Sequence, residues 1–242
     1  MKKIIISQSN YIPWKGYFDS MNMVDEFIIY DEVQYTKRDW RSRNKIKTAN
    51  GAHWLTVPVE VKGKFFQKIK ETQVLTTENW RDTHWKTIQM NYSKTPYFKI
   101  YKDAFEPIYK DTSEIFLSNI NYSLMKAVNE VMGIKTVLKW SNDIPCNTEG
   151  KNERLIEICK TLGANEYYSG PAAMGYMDDS LFNASGITVH YFDYGNYPPY
   201  KQLYGDFMHD VSILDLIFNE GPNAQKFLKS FSDNPASLIM KR

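Results

Sequence analysis

Cysteine is scarce: Cys146 and Cys159 are the only two in 242 residues. They allow one bridge at most, and neither stands in a CxxC pair or beside histidine, so a disulfide framework and a structural zinc site find no support. Long apolar runs are lacking as well. The run behind the initial Met-Lys-Lys is Ile4-Ile5-Ile6, short of the ~7–15 residues of a secretory core and of the ~20 of a membrane span. Neither sign of charge dominates, since 30 basic and 28 acidic residues leave +2, which supplies no global field for a nucleic-acid partner. No Walker A sequence occurs, nor a GxGxxG between a strand and a helix, and the four histidines form no HxH or HxxxH pattern, so phosphate-loop and metal chemistry have no motif to rest on. These absences describe a reducing, cytoplasmic setting, with no membrane span, no nucleic acid and no metal.

Aromatics are what the chain has in plenty: 17 Tyr, 13 Phe and 6 Trp, side chains that suit surfaces half apolar and half hydrogen-bonding. With 43% hydrophobic and 24% charged residues, the composition is globular rather than disordered. The pattern predicts strands at 3–7 and 26–35 around a helix beginning near Trp14 or Gly16 and carrying Tyr17, Phe18, Met21 and Val24. A hairpin over 44–61 turns at Asn50-Gly51, and 68–75 adds to its sheet. Residues 78–132 turn helical, with Trp85, Ile88 and Tyr92 on one face and a second helix capped by Thr112 or Ser113 and ending at Gly133. Strands at 135–140, 166–169 and 187–192 then alternate with helices at 152–162, 176–183 and 211–219. The tail from Ser232 onward reads as poorly ordered. The expectation is one α/β domain over 1–242, Rossmann-like, with a partly parallel sheet and a hairpin-plus-helical insertion at about 44–132.

Open α/β sheets bind ligands beyond their strand ends, which singles out the loops 8–16, 31–43 and 169–176. The first, "QSNYIPWKGYFD", sets Gln8 and Asn10 among Tyr11, Trp14, Tyr17 and Phe18, far more aromatic surface than a turn requires. The second, "DEVQYTKRDWRSRNKIK", combines Asp31 and Gln34 with Lys37, Arg38, Arg41 and Arg43 around Trp40. Guanidinium forks suit phosphate and carboxylate, and an indole offers a plane for a ring to stack on. Lys45 and Lys47, on the following strand, read as a solvated face. The third places Ser169 and Gly170 before a short helix, where backbone N–H groups can meet an anion, although a tight strand–helix turn is the better account of Gly170 and Pro171 individually. Asp193, at a strand end, and Tyr200, in a proline-stiffened aromatic loop, are further candidate contacts. His84 is the natural proton carrier of the four histidines if a substrate reaches it; a histidine on a helix beside Trp80 and Trp85 is more often a hydrogen-bonded core residue than a catalyst.

These segments, together with "HWLTVPV", "WRDTHWKTIQMNYSKTPYF", "YYSGPAAMGYMDDSLF" and "YPPYKQLYGDFMHDVSILDLIFNEG", resemble the WbqC-like family from about residue 3 to 222; Ser9 stands where that family commonly has proline. The resemblance implies a place in bacterial surface-polysaccharide, or O-antigen, sugar biosynthesis. The first expectation is therefore an enzyme transferring an acyl or aminoacyl group onto a nucleotide-activated amino sugar, with Gln8, Asn10 and Tyr11 orienting the substrate and His84 or Asp31 as general base. Such a transfer would draw on acyl-coenzyme A or another activated donor, and a homo-oligomer is compatible with it. Two alternatives stand beside it. One is a non-catalytic binding or assembly protein of the same pathway. The other is a nucleotidyltransferase-like enzyme, since "IIISQSNYIPWKGYFD" is similar in arrangement to HIGH-type nucleotidylyltransferases, with Trp14 and Tyr17 where those have histidines.

Overall fold

The computed structural model describes residues 1–240. Strands β1 (Lys3–Ser7), β2 (Glu26–Ile29), β5 (Val137–Trp140), β6 (Glu166–Ser169) and β7 (Thr188–Tyr191) form one sheet in the order β5-β2-β1-β6-β7, each neighbouring pair parallel. Strands β3 (Arg43–Thr48) and β4 (Gly51–Thr56) make the separate antiparallel hairpin. The unbroken Ile4-Ile5-Ile6 run follows from burial on both faces of the sheet. Ile5 joins Tyr17, Phe18 and Phe27 in the core on one face, while Ile4 and Ile6 join Ile28, Ile156 and Tyr167 on the other. The first face is covered by α1 (Lys15–Asn22), α4 (Leu117–Met132) and α7 (Ile213–Glu220), the second by α5 (Lys151–Thr161) and α6 (Asp179–Ala184). Helices α2 (Trp80–Tyr92) and α3 (Phe98–Lys110) pack beside α4, α7 and the hairpin. The architecture is Rossmann-like: the strand order reverses on either side of β1, and the loops leaving β1 and β2 emerge together at one end of the sheet. Among the described residues no helix is long and apolar enough to cross a membrane.

Several local expectations are corrected. Strand β2 stops at Ile29, not at 35, because the next residues turn inward and bury the Asp31 carboxylate. Residues 68–75 do not extend the hairpin sheet. They form a 3-10 turn at Ile69–Glu71, and isolated bridges join Val59 to Val74 and Gln73 to Phe116. That pairing delays the helix foreseen from Thr112 or Ser113: with Val74 N–H donating to Ile115 O at 2.9 Å and Leu117 N–H to Thr72 O at 2.9 Å, the chain stays extended until Leu117. The hairpin turn is Ala49-Asn50, with Gly51 directly after it at φ +94°, a conformation that side chains with a Cβ rarely adopt. The tail is docked, not loose, since Met240 N–H donates to Tyr191 O at 2.9 Å and Phe192 bridges to Ile239; Lys241 and Arg242 lie outside the described residues. Lys47, read as solvated, is only 3% exposed because the 200–208 loop covers it; its Nζ donates to Gln202 Oε1 at 2.7 Å and to the Asp206 carbonyl. Lys45 pairs with Asp210.

Candidate functional site

A cleft of about 230 Å³ opens where the β1 loop meets the end of the β2 loop and the start of β3; Asn10, Pro13, Trp14, Trp40, Asn44 and Asp210 line it. Two indoles and two asparagines thus line one cavity, an arrangement that suits ring stacking with a polar contact at Asn10. Trp40 continues onto the surface with Trp54 at a ring separation of 5.6 Å, and Arg43 lies over Trp54 at 4.3 Å. Arg41 reaches the cleft edge, its guanidinium donating to Asn10 Oδ1 and pairing with Asp39 at 3.8 Å.

The wall is held from behind by buried polar groups. Asp31 accepts from Ser9 N–H at 2.8 Å, from Ser9 Oγ–H at 2.6 Å and from Ser118 Oγ–H on α4. Asn121, one turn further along α4, donates to Ser9 Oγ at 3.1 Å and to Arg41 O at 2.9 Å. Asn44 donates to the carbonyls of Tyr11 and Ile12 at 3.2 and 2.9 Å. These bonds clamp a strained loop: Ile12, a β-branched residue, sits at φ +36°, a conformation that persists only where its surroundings enforce it. Trp14 owes its seat to Gly16, because a Cβ there would stand 2.3 Å from the indole ring. That is the physical content of the Trp-x-Gly spacing.

His84 and Asp31, the two residues expected to carry protons, stand behind the cleft and do not line it. His84 is 5% exposed; its Nδ1 lies 2.8 Å from the Tyr11 hydroxyl, which is 2.9 Å from Tyr109 Oη. Burial pushes the imidazole down to about 4, so it is neutral at physiological pH, and burial also drives the Tyr11 phenol well above its ordinary value.

The remaining candidates disperse. Gln8 receives the Tyr17 hydroxyl on its carbonyl at 2.9 Å, and Gln34 donates to Phe65 O at 2.8 Å. Lys37 and Arg38 are exposed beyond the cleft, Arg38 at φ +58°. Ser169 and Gly170 lie at the end of β6, outside the cleft lining, and Asp193 closes a turn by accepting from Gly195 N–H at 2.9 Å. Tyr200 is buried and donates to Asp215 Oδ1 at 2.8 Å. Sequence reasoning passed over Pro13, Asn44, Asp210 and, above all, Lys15. Lys15 is 2% exposed, its Nζ 5.0, 5.1 and 5.5 Å from the ring centres of Tyr197, Tyr200 and Phe207, donating to Pro198 O at 3.3 Å. Burial lowers it to about 8, against the attraction of Asp19 and Asp215. The signal available was the density of tyrosines in 194–204, which needed a cation to surround.

The WbqC-like protein family matches residues 8–227, a span containing every residue of the cleft. "Uncharacterized protein Rv1507c" of Mycobacterium tuberculosis (strain ATCC 25618 / H37Rv) is 49% identical over 229 residues, covering 95% of this chain and 98% of the relative. No solved structure matches.

Proposed function

The chain belongs to the WbqC-like protein family, and from that premise we propose that it transfers an acyl or aminoacyl group onto a nucleotide-activated amino sugar of surface-polysaccharide biosynthesis. The observation that carries this reading is a cleft lined by Trp14 and Trp40 together with Asn10. A cavity of about 230 Å³ is smaller than the ~300–1,000 Å³ that whole drug-sized ligands occupy. It seats one ring, and the rest of the ligand must extend outward. In this reading the sugar ring lies between the indoles, Asn10 and Arg41 meet its polar substituents, and the diphosphate runs toward Lys37 and Arg38, whose charges suit phosphate.

Neither His84 nor Asp31 meets the substrate directly in this scheme. His84 orients Tyr11, and Asp31 fixes Ser9, so both act as positioning residues for the strained 8–14 loop. The acceptor amine then attacks the activated acyl carbon of an acyl-coenzyme A or comparable donor. The new C–N bond replaces the donor's thioester or equivalent bond, and the amine proton leaves with the departing group or to water.

A thermal-shift screen against nucleotide sugars, free nucleotides and acyl-coenzyme A compounds tests the proposal. A ligand at 100 times its Kd stabilises the native state by about 2.7 kcal/mol. A shift with a nucleotide-linked amino sugar that Trp40→Ala abolishes supports the reading; no shift with any nucleotide sugar refutes it in favour of a non-catalytic assembly protein.

A further inference from the structure

Away from the cleft, the loop "EVKGKFFQK" between β4 and the 3-10 turn carries the two most exposed phenylalanines of the described chain. Phe65 is 72% exposed and Phe66 82%, their rings packed on each other at 4.9 Å in a T-shaped pair and not against the core. Such surface is expensive to leave in water, and two adjacent aromatics at a loop tip form a contiguous apolar patch and not scattered exposure. The tip is nevertheless firmly built. Gln67, 9% exposed, donates through Nε2 to Glu60 O at 2.7 Å, Gln34 donates to Phe65 O at 2.8 Å, and Tyr35 N–H donates to Gln67 O at 2.9 Å. The rings are thus held outward by the backbone beneath them.

What surrounds the rings is basic. Lys62, Lys64 and Lys68 are exposed and Lys70 half-buried on the same loop, against Glu60 and Glu71. Lys64 is paired with Glu60 at 2.5 Å and Lys70 with Glu32 at 3.7 Å, while no ion pair engages Lys62 or Lys68 among the described residues. Paired exposed aromatics flanked by lysines on one loop tip match one kind of surface: an apolar interior beneath an anionic headgroup layer. A polyanion would use the lysines and leave the rings wet, and an apolar protein groove would use the rings and gain nothing from the lysines.

We propose that the 61–68 loop docks this protein peripherally onto an anionic lipid bilayer, Phe65 and Phe66 entering the interface and Lys62, Lys64 and Lys68 meeting lipid phosphates. The inference does not rest on the reading of the cleft; the docking loop contributes none of the cleft's lining residues.

Cosedimentation of the full chain with vesicles of mixed phosphatidylglycerol and phosphatidylcholine, compared with pure phosphatidylcholine, is the test. Binding is expected only with phosphatidylglycerol and is expected to weaken as salt rises, since the lysine contribution is screened. Phe65→Ser/Phe66→Ser is expected to lose at least about tenfold in vesicle affinity, and Lys62→Ala or Lys68→Ala about fivefold each, the effect of one basic residue near an anionic surface. All four side chains are exposed, so the variants keep the wild-type melting point, and nucleotide-sugar shifts in the screen above are unaffected. Absence of binding to the anionic vesicles, or equal binding by the double serine variant, overturns the proposal. So does a double variant that leaves vesicle binding intact but abolishes self-association in sedimentation velocity, which would make the tip a protein contact.

Discussion

Two buried carboxylates hold the walls of the cleft, and they do so by different physics. Asp31 gathers short partners, Ser9 twice and Ser118 once, from elements that meet at the strand ends. Asp215 gathers long ones, the hydroxyls of Tyr92 and Tyr200 at 3.0 and 2.8 Å and Gln202 Nε2 at 2.8 Å, and so draws the 194–210 loop down over α7 and Lys47. Burial raises the Asp215 carboxyl above its ordinary value despite those donors and the nearby Lys47. The Asp31 wall is therefore a compact brace under a strained backbone, and the Asp215 wall is a cover tethered by side-chain tips. Removing one of these anions should not be equivalent to removing the other.

The largest expected effect follows from that contrast. Asp31→Ala strands a backbone N–H and two hydroxyls in the interior, and each unsatisfied buried group costs ~1–3 kcal/mol, so a loss of roughly 3 kcal/mol or more is expected in denaturant melts, together with loss of the ligand-induced shift. Asp215→Asn keeps the shape and removes a charge that burial disfavours, at an expected cost of ~1 kcal/mol. Equal losses for the two variants would dissolve the comparison.

Next in size is His84. Its folded value of about 4 lies below the ordinary 6.5, so the unfolded chain binds the extra proton between those values and the native state does not. Stability is then full above pH 6.5 and falls as pH drops toward 4, by up to about 3 kcal/mol in all. His84→Asn should remove that slope. A urea series across the pH range reads it directly, and a slope that persists in the variant would assign the titration elsewhere. Turnover that survives in His84→Asn would agree with its role as a support for Tyr11.

Much of this was legible in the sequence, and the losses have physical reasons. The α/β alternation, the apolar β1 run, the hairpin and the helix ending at Gly133 follow from periodicity and turn chemistry, which are local. Asn10, Trp14, Trp40 and Arg41 converge because they lie beside strand ends, which adjacency in sequence can place. Lys15, Lys47 and Asp215 could not be read this way. Each is a charged residue whose burial depends on a partner more than 120 positions away in the numbering, Pro198 for Lys15, Gln202 for Lys47 and Tyr92 for Asp215, and no local pattern separates it from a solvated neighbour. The late start of α4 was hidden for the same reason, since 72–74 had to pair with 115–117 before extension became cheaper than a helical turn.

Gly16→Ala sharpens the comparison from the cleft side. The added methyl meets the Trp14 ring at 2.3 Å, and overpacking of this kind costs typically ~1–3 kcal/mol. The indole is the group free to shift, so weaker ligand binding is expected at a modest loss of melting temperature, whereas a pure packing defect would lower stability and leave binding alone.

Lys15, enclosed by the cover that Asp215 tethers, probes the other wall. Its folded value is about 8 against an ordinary 10.5, so between these values the unfolded chain carries a proton that the native state has released. Stability then rises with pH across that interval and is lowest below it. Lys15→Met fills the same space without the charge, and the three surrounding rings accept a thioether well. The melting-temperature difference, variant minus wild type, should therefore be most positive below pH 8 and shrink toward pH 10.5. A difference independent of pH would mean that the rings stabilise the ammonium as fully as water does. In that case the cover over α7 would be held by a cation as well as by the Asp215 carboxylate, and the two walls would differ less than their hydrogen bonds suggest.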